Sequence, residues 1–165
     1  MRSLLRFLDT VIEVSGKGVS YLTFFMVLTT FTIVILRYFF NVGWVWMQEL
    51  VTYSHATIFL IASGYVFKKE GHVRVDIFYR NFSENKKKWI NSFGILFFLF
   101  PMIGIIGVHS TSYILDSWSV WEGSKDGGGL EAVFLQKTLI WIFCLLLFIQ
   151  GLSQLLSNHF KRDSL

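Results

Sequence analysis

Arg37 and Glu49 flank a short stretch, Tyr38 to Gln48, that carries no other charge, and each stands about one turn from the end of an apolar run. A guanidinium and a carboxylate at similar depth in a membrane can form a step in an ion pathway, clasp a helical hairpin, or reach a partner subunit. The clasp, or its contact to a partner, is the expected role, because no further ionisable groups continue a relay. His55 and His109 lie in two other apolar runs. Two such histidines can ligate a haem iron, but a helix–helix hydrogen bond is the expectation for each. His72, Arg74 and Asp76 are close together in a basic connection without forming a metal motif. Lys137 opens the last apolar run, where its ammonium is expected to snorkel to the surface. The single cysteine, Cys144, excludes an intrachain disulfide and reads as a small hydrophobe. No glycine-rich phosphate loop, HExxH or GxSxG occurs. The residues therefore predict neither an enzyme nor a cofactor site.

Those residues must be positioned by membrane helices. The 165 residues are 53% hydrophobic and 18% aromatic, with a mean hydropathy of +0.54. A soluble domain of that size could not hide so much apolar surface. Four stretches are nearly or wholly free of Asp, Glu, Lys and Arg: Gly18 to about Phe40, about Trp46 to Phe67, Trp89 to Leu115, and Thr138 to Phe160. Each approaches or exceeds the roughly 20 residues needed to cross a bilayer. Helix is the open-chain solution in lipid, and period-two alternation is absent, which argues against a barrel. The predicted fold is an all-α integral membrane protein, a single domain with transmembrane helices over 18–40, 46–67, 89–115 and 134–158. Pro101 predicts a kink in the third helix, not a break.

Residues 1–17 are amphipathic: Leu4, Leu8, Val11 and Ile12 share one helical face, opposite Arg2, Arg6, Asp9 and Glu13. This arm is read as an N-terminal amphipathic helix lying in the interface, the alternative being an extension of the first span into water. The first span is too long for a signal h-region and should remain uncleaved. Of the 15 Lys and Arg residues, only Arg37, Lys125 and Lys137 fall on the face opposite the N-terminal arm, the Lys68–Lys88 connection and the tail. The positive-inside rule then predicts both termini in the cytoplasm, and the net charge of +4 reflects this orientation instead of nucleic-acid binding. Gly71 is expected as the C′ residue of the second helix, and Ser83 as the cap of the third. The outer face would carry a tight turn at residues 41–45 and an acidic, glycine-rich, mobile loop from Asp116 to about Val133. Trp44, Trp46, Trp118 and Trp121 mark that boundary, and Trp89 the inner one. Small residues such as Gly64, Gly94, Gly104 and Gly107 could pack a partner subunit or this chain's own helices.

The spans show no convergent carboxylates, broken-helix pair or inverted repeat of a transporter's central site, which suits a partner, anchor or scaffold. The ordered motifs resemble the small, DctQ-like membrane subunit of tripartite ATP-independent periplasmic (TRAP) transporters. Arg37-Tyr38 ends the first helix, Asn41 and Trp46-x-x-Glu49-Leu50 follow, and Gly71-His72-Val73-Arg74-Val75-Asp76 succeeds the second helix. Gln136-Lys137-Thr138 opens the fourth helix, and Gln150-Gly151-Leu152 lies near its end. The chain departs from the family in having Gly127 to Ala132 where a proline commonly precedes the last helix. The resemblance implies a multi-pass protein of the bacterial inner membrane. Its partners would be membrane lipids, a large multi-spanning permease subunit and a periplasmic solute-binding protein. The small chain would brace the former and help dock the latter during sodium-coupled uptake of an organic anion. Arg37, Trp44, Trp46, Glu49, His72, Arg74, Asp76, Trp118 and Lys137 are the structural or subunit-interface candidates. A membrane anchor of an oxidoreductase, with or without haem, and a stand-alone exporter are the competing readings.

Overall fold

A computed structural model describes residues 2–71 and 79–160. His72, Arg74 and Asp76, and with them the motif after the second helix, lie outside the described residues. The described chain is helical, with no strand: α1 Arg2–Phe39, α2 Val45–Lys68, a 3-10 turn Tyr79–Asn81, α3 Glu84–Gly94, a π-helical turn Ile95–Leu99, α4 Phe100–Ser119 and α5 Val133–Phe160. Four helices are long and apolar enough to cross a membrane, because α3, the π turn and α4 are one continuous rod, Glu84–Ser119.

Pro101 explains the π turn. Its nitrogen has no hydrogen to donate, and its ring would press on the carbonyl one turn back. The helix meets both demands by widening: Phe100 N–H reaches back five residues to the Ile95 carbonyl. The rod continues beyond the proline, as the sequence predicts.

α5 is the shared element, packing against α1, α2, α3 and α4. The buried apolar side chains follow from this, including Ile103 and Ile114 of α4 and Leu146 and Leu147 of α5. Large side chains such as Phe24, Phe31, Phe59 and Phe98 are exposed, as suits helices whose solvent is lipid.

The N-terminal arm is not a separate helix: it is the first part of α1, and Leu8, Val11 and Ile12 of its apolar face turn towards the protein. Ile12 is fully buried, and its Cδ1 lies against Gly64 of α2. Gly16 sits so close to Tyr65 that a Cβ there would overlap the tyrosine side chain. An amphipathic stripe cannot distinguish lipid from another helix as its apolar partner; here the ends of α2 and α5 provide the partner.

The helix ends also refine the sequence reading. At the end of α2, Glu70 adopts the left-handed conformation (φ 55°), and Gly71 is the residue after it. Glu70 N–H bonds the Phe67 carbonyl and Gly71 N–H the Val66 carbonyl, a Schellman closure with its C′ one residue earlier than expected. Ser83 stands at the N-cap of α3 with extended backbone, but its hydroxyl makes no capping bond. In the turn between α1 and α2 the left-handed position is filled by Asn41 (φ 55°), which tolerates it better than most residues.

Candidate functional site

A polar cluster joins the start of α2, the loop before α5 and the start of α5. Glu49 lies in the first turns of α2 and is half-buried. Its carboxylate accepts the Leu130 N–H at 2.5 Å and the Ser124 hydroxyl. Ser124 N–H in turn donates to the Leu130 carbonyl at 3.0 Å. Glu49 thus grips both sides of the Gly127–Gly129 stretch. The loop expected to be mobile is tied to α2 by a charge-assisted set of bonds. The expected Arg37–Glu49 pair does not form: Arg37 is exposed, and Glu49 spends its acceptors on the loop. Sequence proximity across a hairpin says nothing about helix rotation, and rotation directs Glu49 towards α5's preceding loop.

Beside it, Lys137 makes an ion pair with Glu122, and its Nζ lies 3.8 Å from the centre of the Tyr113 ring. The side chain is 12% exposed, so the ammonium stays within the protein instead of snorkelling away from it. That neighbour holds the Glu122 carboxyl below the ordinary carboxylate range, the lysine hydrogen bond being the leading cause. Trp118 Nε1 donates to Thr138 Oγ1 at 2.9 Å, and its ring packs edge-on against Trp121 and Phe134. α4, the loop and α5 are therefore joined by an ion pair, an indole hydrogen bond and an aromatic cluster. Trp44 and Trp46 remain exposed.

A second clasp closes the opposite end. Lys68, at the end of α2, lies 3.2 Å from Glu13 and 3.6 Å from Asp9 of α1. Asp9 also accepts the hydroxyl of Ser153 on α5 at 2.9 Å. In sequence, Asp9 and Glu13 belong to the polar side of the amphipathic arm. Their spacing of four residues, with Lys68 ending another helix at the same boundary, was the available signal.

His55 and His109 are both exposed, and His109 Nδ1 lies 3.0 Å from the Ile105 carbonyl of its own helix, which selects the Nδ1–H tautomer. His109 thus bonds within α4 and not across helices. Cys144 Sγ packs at 4.0 Å from the position of a Cβ on Gly107. Among the described residues no three His, Cys, Asp or Glu side chains gather as for a metal ion. Gly64 packs internally against Ile12 and the Leu146 backbone, whereas Gly94 and Gly104 face open space. What the polar side chains accomplish is joinery between helices.

A family model described as "Tripartite ATP-independent periplasmic transporters, DctQ component" matches residues 26–160. No curated protein and no solved structure matches the chain.

Proposed function

The chain belongs to the DctQ component family of tripartite ATP-independent periplasmic transporters, and from that membership we propose that it is a static brace for a large permease subunit. The observation supporting this role is the use of its polar groups. Lys68 joins α1 to α2, Glu49 joins α2 to the outer loop, and Lys137 joins that loop to α5. These contacts stiffen the chain, and they leave those groups engaged with one another instead of with a solute. Arg37, exposed near the outer end of α1, is available to a carboxylate or backbone carbonyl of the large subunit. Trp44 and Trp46 together with the acidic loop offer a surface for the periplasmic binding protein. In this reading the binding protein selects an organic anion. The large subunit moves it with sodium across the bacterial inner membrane, and this chain carries neither.

The test is reconstitution of the large subunit in liposomes with and without this chain. Uptake should need both, whereas solute affinity and sodium dependence should follow the other two components. Specific solute or sodium binding by the isolated chain overturns the brace.

A further inference from the structure

A groove of about 430 Å³ opens on the basic side of the molecule, between the end of α2, the α3–π–α4 rod and α5. Phe67, Ile90, Ile95, Phe98, Leu99 and Met102 supply its apolar walls. Gly94 adds no side chain, and a Cβ built there meets nothing within 4 Å. The groove is therefore partly a consequence of that glycine and of the π turn, which rotates Phe98 and Leu99 relative to the turn before. Two amides interrupt the apolar lining: Asn91, which is bonded to the Tyr79 hydroxyl, and Gln154 of α5, whose Oε1 is buried without a hydrogen-bond partner. One helical turn before Ile90 and Asn91, at the groove's mouth, the rod presents Lys86 and Lys87, followed by Lys88 and an exposed Trp89. Lys87 is engaged by Glu84 at 3.0 Å, while Lys86 is exposed.

We propose that this groove holds one acyl chain of an anionic phospholipid, with its headgroup drawn to the basic Lys86–Lys88 turn. The parts match the ligand in order along the rod. Cationic side chains stand at the level of a headgroup, an indole marks the interface, and an apolar trough extends into the hydrocarbon depth. The Gln154 amide can turn its NH₂ towards the groove and donate to a glycerol ester carbonyl. The volume lies within the roughly 300–1,000 Å³ of small-molecule sites. A zwitterionic lipid would satisfy the trough but bring its own cation to the lysines, so charge selects the anionic class.

Native mass spectrometry of the full chain in mild detergent tests this, titrating phosphatidylglycerol and phosphatidylethanolamine with the same acyl chains. Phosphatidylglycerol should be retained at least about tenfold better, a difference of about 1.4 kcal/mol. Lys86→Gln with Lys88→Gln should bring it down to the level of phosphatidylethanolamine, whereas Lys125→Gln at the other end should leave the preference intact. Gly94→Leu, which fills the trough, should reduce retention of both lipids. Equal retention of the two lipids by the unaltered chain overturns the proposal, as does unchanged retention in Gly94→Leu. Should Gly94→Leu fail to fold, the lysine pair decides: a preference that survives its loss overturns the site.

Discussion

Glu49 and Leu130 stand 81 positions apart, yet the Glu49 carboxylate accepts the Leu130 backbone N–H at 2.5 Å. The contact anchors the loop before α5 to the first turns of α2. Glu49→Gln keeps one acceptor oxygen and should hold the loop partly, whereas Glu49→Ala releases both Ser124 and Leu130. Hydrogen exchange at the Leu130 amide should quicken by about tenfold or more in the alanine variant, as expected for loss of a charge-assisted bond. Unchanged exchange would mean that the loop is held by other contacts.

The Glu122–Lys137 pair carries a pH signature. Glu122 titrates below its ordinary value in the folded chain. Its contribution is therefore full above the unfolded carboxylate value and disappears as pH falls through the lowered folded value. Thermal melting in detergent should show a loss of stability on that acid limb. Glu122→Gln should weaken the dependence, and Lys137→Met should do the same while lowering stability at neutral pH. An acid limb identical in all three proteins contradicts the assignment.

Two glycines of α1, two residues apart, should respond with opposite signs. A Cβ on Gly16 overlaps the Tyr65 side chain, while one on Gly18 meets nothing. Gly16→Ala should destabilise by about 1–3 kcal/mol through overpacking. Gly18→Ala should stabilise by up to about 1 kcal/mol through helix propensity. Melting curves of the two variants in one detergent provide the comparison; equal shifts would count against the α1–α2 packing.

Membrane orientation is testable at Lys125, in the loop before α5. With Cys144 replaced by Ala, Lys125→Cys should react with an impermeant thiol reagent in intact cells. A cysteine placed in the Lys86–Lys88 segment should react only after permeabilisation. The reverse pattern would invert the topology.

What could be read from the residues in order is what depends on local composition. The length and charge-free character of each run set four membrane-length helices, and Pro101 marked the irregular turn. The motifs from Arg37-Tyr38 to Gln150-Gly151 pointed to the family whose model matches residues 26–160. Helix termini were partly legible: Ser83 stands at the cap of the rod that begins at Glu84, whereas the left-handed cap of α2 is Glu70 instead of Gly71. Partner choice was not legible, because it depends on how each helix is rotated about its axis and which neighbour it meets. Arg37 was the near candidate for Glu49 along the chain, but the rotation of α2 presents Glu49 to Ser124 and Leu130. The arm's apolar stripe was equally compatible with lipid and protein until packing buried Ile12 against α2, with Lys68 bound to Asp9 and Glu13. Hydropathy is additive along the chain and can be summed residue by residue. An ion pair or a glycine contact exists only where two distant segments meet in register, and only the tertiary structure sets that register.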